Sequence, residues 1–435
     1  MYARSLQPFI EELLAEFRVV YLTGARQSGK TTLVREVAER MGMGYVTLDD
    51  QATLASVGSD PHGFIRSLGS RRVVLDEFQY SPNLIPAIKE ASDRLGTDEK
   101  GKFLLTGSAD IFRSAKTQEA LPGHLARLEL FPLSLSELAG RSFNIIDYLL
   151  AGDFQSESVA FQSREQLAGL ILRGGYPEVQ GKTRRARQTW FRSYMEGRLY
   201  KDFETLHAAR GDYHSKLQAM MPYLAGLSGN MLKYSNIAND LELNDKVVKS
   251  YIEILELMFI VRRVPSYLKN RAKRLAVRMP KVHFTDTGLA CHMLGLGNEE
   301  QLLKSQYYGG LLESLVYMEC CKQASWAQED TGMYHFRDKR KHEVDFVIER
   351  SNANIIGIEV KASASVKIQD FRGLTKLAEF AGSAFEAGIL FYTGQEILPF
   401  KLGALTFHAL PIGLFSGGFS SHPNNISTAT PSFRT

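Results

Sequence analysis

Residues 19–38 place a short apolar segment, a glycine-rich loop and an amphipathic segment one after another. The loop, GARQSGKT at positions 24–31, has the GxxxxGK[ST] spacing, in the strand–loop–helix context that this motif requires. Its glycines let backbone N–H groups curl around a phosphate, and the first turn of the helix adds a partial positive charge. The segment therefore predicts a buried strand, a phosphate-binding loop and a helix. The alternative is a glycine-rich turn without a ligand.

The side chains of this loop predict a nucleoside triphosphate and Mg²⁺ as its ligands. Lys30 is expected to reach the β- and γ-phosphates, and Thr31 is expected to ligate the metal ion. A second apolar segment, residues 72–77, ends in Asp76, which is suited to hold Mg²⁺ through water, and in Glu77, which is placed to polarise the attacking water as a general base. The predicted contacts of the nucleotide and its metal ion are Gly24, Ala25, Arg26, Gln27, Ser28, Gly29, Lys30, Thr31, Thr32 and Asp76.

A third apolar segment, residues 102–108, ends in small hydroxyl residues. Thr106 or Ser108 is a candidate sensor of the γ-phosphate, with a plain strand-to-loop turn as the alternative for each. Apolar strands that alternate with helical patterns argue for the α/β class, with a parallel sheet and a nucleotide at the carboxyl edge of its strands. We therefore expect the first part of the chain to have the fold of an ATPase or a GTPase.

A series of segments resembles the prokaryotic AAA+ ATPases that carry a C-terminal nuclease-like domain. The segments are GARQSGKTTL, VVLDEFQ, FLLTGSAD, FPLSLSEL, GGYP, YKD and PKVHFTDTGL, and the resemblance extends to about residue 410. It implies ATP rather than GTP. Two positions depart from the family, because His124 and Lys201 stand where it usually has arginine. The arginine that would complete a neighbour's ATP site is therefore left open; Arg113 and Arg127 are candidates, and a surface arginine without this role is the alternative for each.

Residues 235–255 carry a helix-turn-helix pattern, although simple packing of two helices is an equal alternative. Residues 262–281 then contain eight basic residues and no acidic residue, where a β-wing would touch phosphates. A solvated face, or one that binds an acidic partner, is the alternative. The eight are Arg262, Arg263, Lys269, Arg271, Lys273, Arg274, Arg278 and Lys281. The predicted contacts with the DNA backbone are Lys246, Lys249, Lys269, Arg271, Lys273 and Arg274.

Two further strands are predicted near the C-terminus, at residues 343–349 and 355–361, with a polar turn between them. Alternation along the first strand is expected to place Val344, Phe346 and Ile348 on one face. Asp345 then lies on the opposite face.

Antiparallel pairing of these strands would bring Asp345 beside Glu359 and Lys361, which share a face by period two. Two carboxylates and a lysine arranged in this way can hold Mg²⁺ and activate a water for phosphodiester cleavage, with Lys361 stabilising charge on the phosphate. The pattern is similar to that of the restriction-endonuclease-like (PD-(D/E)xK) superfamily, and Glu313 matches the extra helical carboxylate often found there. The alternative is an inactive nuclease-like domain that keeps these residues as an ion-pair network.

Composition bounds the class of protein. With 435 residues, 44% hydrophobic and 23% charged, the chain is expected to be soluble and to form two or three domains. It has no apolar run as long as a membrane span, and its three cysteines fit a reducing compartment. Its N-terminal segment is amphipathic and carries acidic residues, so we do not expect it to be a signal peptide. A cytoplasmic location without a membrane partner is therefore expected. The predicted divisions are an AAA+ core at 1–160, a helical lid at 161–226, a winged helix at 227–295, a nuclease-like domain at 296–412 and a disordered tail at 413–435.

These expectations combine into an oligomeric AAA+ ATPase that couples ATP hydrolysis to binding and remodelling of DNA, with branched DNA as one substrate. One alternative is a metal-dependent DNA nuclease gated by ATP. The other is a nucleotide-switched regulator that binds DNA or protein and carries an inactive nuclease-like domain.

Overall fold

The computed structural model describes residues 2–96, 99–109, 123, 125–154, 159, 162–206, 213–270 and 279–417. The residues singled out above that lie outside this part of the chain are Arg113, His124, Arg271, Lys273, Arg274, Arg278 and the tail from residue 418.

The N-terminal part contains a five-stranded parallel sheet with the strand order β2-β3-β4-β1-β5. Its central strands are buried along their whole length, because helices cover both faces with separate apolar clusters. This confirms the predicted parallel sheet and the three apolar strands. The strands are β1 (Val19–Thr23), β2 (Gly44–Thr47), β3 (Val73–Asp76), β4 (Phe103–Gly107) and β5 (Leu125–Glu129). The helices are α1 (Gln7–Glu16), α2 (Lys30–Met41), α3 (Gln51–Ser59), α4 (Pro61–Ser67) and α5 (Ile85–Asp93).

Six helices follow this sheet in the described part of the chain. They are α6 (Leu135–Leu138), α7 (Ile145–Ala151), α8 (Arg164–Arg173), α9 (Arg184–Tyr194), α10 (Tyr200–Leu206) and α11 (Tyr213–Gly226). A π-helical turn, Met195–Leu199, joins α9 to α10. Short 3₁₀ helices occur at Phe78–Tyr80, Pro82–Leu84, Pro177–Val179, Ile368–Phe371, Gly382–Ala384 and Ile412–Ser416.

The two helices predicted within residues 235–255 are present as α12 (Tyr234–Asp240) and α13 (Asp245–Leu257). The Asn244 side chain caps α13 by accepting a hydrogen bond from the backbone N–H of Lys246. A small antiparallel sheet accompanies the two helices, with the order β6-β8-β7. Its strands are β6 (Asn230–Met231), β7 (Val261–Val264) and β8 (Lys281–Phe284).

The C-terminal part is a six-stranded mixed sheet with the order β13-β14-β12-β11-β10-β9. Strand β12 pairs in parallel with β11 and with β14, and the other pairs are antiparallel. The strands are β9 (Thr331–Arg337), β10 (Glu343–Arg350), β11 (Ile355–Lys361), β12 (Phe385–Tyr392), β13 (Leu398–Leu402) and β14 (Leu405–Pro411). The helices are α14 (Thr287–Met293), α15 (Glu299–Lys304), α16 (Tyr308–Ala324) and α17 (Arg372–Ala381).

Two expectations about this architecture need correction. Val344 packs with Val347 on the face opposite to Phe346 and Ile348, because a bulge between residues 344 and 347 interrupts the alternation of β10. Residues 413–416, assigned to a disordered tail, belong to a 3₁₀ helix whose side chains are mostly buried.

The described helices include none with the length and apolar character needed to cross a membrane.

Candidate nucleotide-binding site

The predicted phosphate loop joins β1 to α2 at the carboxyl edge of the parallel sheet. Gly24 has φ +147° at the start of this loop, and a Cβ there would lie 2.2 Å from the carbonyl oxygen of Leu130. Only glycine therefore allows the loop to turn against the segment that follows β5. At the other end Gly29, in the left-handed region, begins α2 and leaves the first N–H groups of the helix directed toward the loop.

Lys30 lies buried inside the loop. Its Nζ donates hydrogen bonds to the carbonyl oxygens of Gly24 and Ala25, at 2.8 and 2.9 Å. Burial lowers the pKa of Lys30 to about 8, although the charges of Glu77 and Asp76 act in the opposite direction. The lysine is thus held at the loop by weak neutral acceptors, which a phosphate can replace.

Asp76, at the end of β3, is surrounded by donors. Its Oδ2 accepts hydrogen bonds from the hydroxyls of Thr31, at 2.9 Å, and Tyr45, at 2.6 Å. Its Oδ1 accepts from the Thr106 hydroxyl and from the backbone N–H of Glu77. The predicted metal-binding pair of Thr31 and Asp76 is therefore in direct contact.

Glu77 follows Asp76 in a left-handed conformation, with φ +58°, which turns the chain sharply after the strand. Its carboxylate accepts a hydrogen bond from the side-chain amide of Gln79. The carbonyl oxygen of the same amide accepts from the backbone N–H of Ser108, at 3.1 Å. Gln79 therefore ties the ends of β3 and β4 together and fixes the carboxylate predicted to be the general base.

The two candidate γ-phosphate sensors occupy different environments. Thr106 is fully buried and its hydroxyl is bonded to Asp76, so it supports the carboxylate that the metal ion would need. Ser108 is almost completely buried beside Gln79. The sensing role of either residue stays a prediction.

These residues fit a bound nucleotide and Mg²⁺. The Ser28 hydroxyl is buried and has no hydrogen-bond partner within the described part of the chain, so it is available to a phosphate oxygen. Thr31 and Asp76 provide the hydroxyl and the carboxylate that Mg²⁺ takes in phosphate loops. Gln27 and Thr32 are exposed at the loop and at the start of α2.

Arg26 connects the phosphate loop to the helices that follow the sheet. Its guanidinium donates two hydrogen bonds to the carboxylate of Asp202, on α10, and one to the Tyr80 hydroxyl, at 2.9 Å. Burial disfavours the charged form, but the bonds to Asp202 and Tyr80 outweigh it and raise the pKa of Arg26. Asp202 belongs to the YKD segment, so the resemblance marked it, although its contact with the loop could not be predicted.

Arg4 contacts the backbone of the phosphate loop and was not among the residues predicted from the sequence. Its guanidinium donates to the carbonyl oxygens of Ser28, at 2.8 Å, and Phe131, at 2.7 Å, and to the carboxylate of Glu137, at 3.0 Å. All three contacts are buried. No motif surrounds Arg4, and nothing in the local sequence indicates this role. Glu137, in contrast, lies in the FPLSLSEL segment.

A second group of predicted residues gathers on α16, β10 and β11. Continuing the register of β10 and β11 by one pair places Asp345 opposite Glu359, and Asp345 contributes to raising the pKa of both Glu313 and Glu359. The structure thus brings together the three carboxylates, with Lys361 near Glu359. Lys281 was not expected here, but its Nζ lies between Glu313 and Asp345.

This cluster does not fit the predicted second Mg²⁺ site. Among the described residues, no group of three or more His, Cys, Asp or Glu side chains could hold a metal ion. A lysine ammonium pairs with two of the predicted ligands instead.

The predicted basic strip is divided by the fold. Arg262 pairs with Glu129 on β5, Arg263 pairs with Glu256, and Lys281 is buried. Those three side chains are engaged within the protein and do not form the solvent-facing strip that the sequence suggests. Lys246, Lys249 and Lys269 are exposed, with Lys249 3.9 Å from Glu253 and Lys269 over the ring of Phe380.

Comparison with known families supports the assignment of the first site. Residues 16–139 match the family described as AAA domain. Residues 164–300 and 308–415 match two families described as domains of unknown function, DUF8612 and DUF4143. The DUF8612 match, at residues 164–300, extends across both the predicted lid and the predicted winged helix. The AAA match and the geometry of the phosphate loop together support an ATPase of the AAA type.

Similar proteins are known from other organisms. The chain is 25% identical to the uncharacterized proteins Mb2031c of Mycobacterium bovis and Rv2008c of Mycobacterium tuberculosis, over 80% of its length and 71% of theirs. Among solved structures, the Walker-type ATPase PABY2304 of Pyrococcus abyssi aligns with 67% of this chain and 96% of its own, at 15% identity and a TM-score of 0.40.

Proposed function

We propose that this protein hydrolyses ATP at the loop between β1 and α2 and uses the reaction to move the helices that follow the sheet. The observation that carries this proposal is the convergence of Lys30, Thr31, Asp76 and Glu77 at one edge of the sheet, held by hydrogen bonds among them and their neighbours. Thr31 and Asp76 would hold Mg²⁺ there, and the ion would supply positive charge to offset the negative charge that develops on the phosphates.

Each side chain then has a defined task. Lys30 exchanges two carbonyl acceptors for phosphate oxygens, which favour its charged form more strongly. Glu77 accepts a proton from the attacking water, and its bond from Gln79 keeps the carboxylate in place. Thr106 and Tyr45 hold Asp76 at the Thr31 hydroxyl.

The contact between Arg26 and Asp202 offers a route from the nucleotide to the lid. Arg26 lies in the phosphate loop, so a bound triphosphate competes with Asp202 for its guanidinium. Loss of that ion pair would free α10 from the loop, and hydrolysis would restore it. The proposed movement of α10 therefore depends on whether a triphosphate or its hydrolysis product occupies the loop.

The catalytic part of this proposal is tested by release of phosphate from MgATP. We expect Glu77→Gln to bind ATP and to turn it over about 10²- to 10⁴-fold more slowly, because it lacks the base. Glu39→Gln, on the exposed side of α2, is the matched control and should retain turnover. Equal turnover by wild type and Glu77→Gln would contradict the assignment of the base.

DNA is the partner that we propose for the middle of the chain. The order of helices α12 and α13 and strands β6, β7 and β8 supports the proposal of a winged helix. Lys246 and Lys249 on α13 and Lys269 after β7 are exposed cations that could contact the DNA backbone. We propose a homo-oligomer that works on DNA in the cytoplasm, where the three free cysteines would stay reduced. The alternative is a nucleotide-switched regulator with an inactive nuclease-like domain. ATP turnover that DNA stimulates would favour an ATPase that works on DNA, and turnover that DNA does not change would favour the regulator.

The proposed DNA-binding surface is tested by the salt dependence of binding to duplex and branched DNA. Replacing Lys246, Lys249 and Lys269 by alanine should weaken binding and lower the slope of log K against log salt by about 0.9 for each phosphate that the variant no longer neutralises. Lys304→Ala is the control, because Lys304 is equally exposed but lies on α15 and pairs with Glu300. An unchanged slope in the triple variant would exclude a role of these lysines in binding DNA.

A further inference from the structure

Lys281 enters the carboxylate cluster from β8, a strand of the small three-stranded sheet. Its Nζ lies 2.8 Å from Oε1 of Glu313 and 3.3 Å from Oδ1 of Asp345. The lysine side chain is 4% exposed, so the ammonium is closed off from solvent. An ammonium buried at this distance from two carboxylates occupies the space between them that an ion would need.

The remaining oxygen of Asp345 is also occupied. Its Oδ2 accepts a hydrogen bond from the backbone N–H of Val360, at 2.8 Å. Glu359 is buried against the start of α17, where a Cβ on Gly373 would lie 2.5 Å from its Oε1. The cluster is therefore tightly packed by protein atoms on the sides of β11 and α17.

The charges of the cluster are met within the protein. Burial raises the pKa of Glu313, to about 8, and that of Glu359, and the neighbouring Asp345 adds to both shifts. Burial opposes the charged form of Lys281, but Asp345 and Glu313 outweigh it and raise its pKa. On the same side, burial and the charge of Lys281 lower the pKa of His283, which keeps that ring neutral.

We propose that Lys281 is the resident cation of this cluster and that it excludes a divalent metal ion. The carboxylates then fasten β8 to α16 and β10 instead of activating a water. Mg²⁺ needs oxygen ligands at about 2.0–2.1 Å in octahedral geometry, and a second, divalent charge beside the ammonium would be repelled. The cluster consequently holds strand β10 of the C-terminal sheet against strand β8 in the middle of the chain. This role does not depend on ATP hydrolysis.

The proposal predicts what happens when the lysine is shortened. Lys281→Ala removes the ammonium and leaves the carboxyl oxygens of Glu313, Asp345 and Glu359 facing a space of ammonium size. Such a group of oxygens is suited to a divalent ion. The variant should therefore gain a metal site that the wild-type protein lacks.

Binding of Mn²⁺ to the nucleotide-free protein, followed by electron paramagnetic resonance, tests this prediction. Wild type and Asp345→Asn should bind Mn²⁺ equally, because the Asp345 carboxylate of the wild type pairs with Lys281 and holds no ion. Lys281→Ala should bind additional Mn²⁺ and show a rise in Tm when Mn²⁺ is added, and Lys281→Ala/Asp345→Asn should lose both effects.

Two results would overturn the proposal. The first is that the wild-type protein binds Mn²⁺ and the Asp345→Asn variant does not. This result can be obtained even if Lys281→Ala fails to fold. The second is a folded Lys281→Ala protein that binds no more Mn²⁺ than wild type. Turnover of ATP, measured on the same samples, is governed by the separate site at β1 and β3, so failure there is distinguishable from failure here.

Discussion

Lys30 illustrates how burial sets the chemistry of a single residue. Its pKa is lowered to about 8, so in the nucleotide-free protein it loses its proton as the pH rises through that value. A bound phosphate favours the charged amine and raises the pKa again. Binding at pH 9 must therefore take up a proton, and affinity falls as the pH rises above about 8.

We predict that the affinity for an ATP analogue is flat below pH 7 and decreases by up to about tenfold per pH unit above pH 8. Titration calorimetry in buffers of different ionisation enthalpy measures both the affinity and the proton uptake. Lys30→Met should bind more weakly at all pH values and lose the dependence. A wild-type affinity that is constant from pH 7 to pH 9.5 would contradict the role given to Lys30.

Arg4 gives a second prediction at the level of the residue. Removing one partner of a buried ion pair costs about 3–5 kcal/mol, because the other charge stays buried. Arg4→Met should therefore lower the free energy of unfolding by about 3 kcal/mol and weaken nucleotide binding, since Ser28 loses its support. Arg40→Ala is the control, because the Arg40 pair with Glu11 is exposed and worth at most about 1 kcal/mol. Equal denaturation midpoints for the two variants would exclude this support.

Residues with a local motif could be predicted from the sequence, and residues without one could not. Lys30 and Asp76 lie where strand–loop–helix and strand-end patterns placed them. Tyr45 contacts the same site because β2 pairs with β3. Gln79 belongs to the VVLDEFQ segment, but its bond to Ser108 depends on the pairing of β3 with β4, which are distant in sequence. Their roles depend on the folded geometry alone.

At the level of the element, a buried junction connects the segments that carry the family resemblance. Gly174 ends α8 with φ +65°, and a Cβ there would lie 2.2 Å from Oδ1 of Asp286, the residue that caps α14. Asp286 also accepts a hydrogen bond from the N–H of Gly175, at 2.7 Å. The GGYP and PKVHFTDTGL segments therefore meet at one carboxylate.

We predict that Gly174→Ala is much more destabilising than Gly181→Ala. Both glycines have a positive φ, which costs an alanine about 1–3 kcal/mol, but Gly181 has open space around it. Gly174→Ala must in addition displace Asp286 and should cost at least about 2 kcal/mol more, because α14 then loses its cap. Chemical denaturation measures the difference. Similar losses in the two variants would show that the junction tolerates a side chain.

The helical pattern of the middle region was easier to predict than the strand pattern of the C-terminal sheet. Val248, Tyr251, Ile252 and Leu255 form the buried stripe of α13 as expected, since one helix face needs only regular spacing. The face of Val344 was predicted wrongly because a bulge has no signature in the local sequence.

At the level of the whole molecule, two cations of the predicted basic strip form ion pairs between distant segments of the chain. Arg262 on β7 reaches Glu129 on the edge strand β5 of the parallel sheet and lies 5.1 Å above the ring of Phe131. Lys281 makes the corresponding link to α16 and β10. The sequence shows how many cations the strip contains. The partners of Arg262 and Lys281 lie far along the chain, so the sequence could not show that these two charges are neutralised.

A double-mutant cycle with Arg262→Met and Glu129→Gln tests the first of these links. We predict a coupling energy of about 1 kcal/mol in the free energy of unfolding, because the two side chains are in contact and partly shielded from solvent. Arg262→Met should leave the salt dependence of DNA binding unchanged. A coupling energy near zero, or a weaker salt slope, would return Arg262 to the DNA-binding surface.

Titration calorimetry of a non-hydrolysable ATP analogue with Mg²⁺ tests the account most directly, because every proposed movement begins with a triphosphate in the loop between β1 and α2. We predict saturable binding by the wild-type protein and at least roughly tenfold weaker binding by Lys30→Ala, which lacks the charge-assisted hydrogen bond to phosphate. No binding by the wild type, or equal binding by Lys30→Ala, would contradict it.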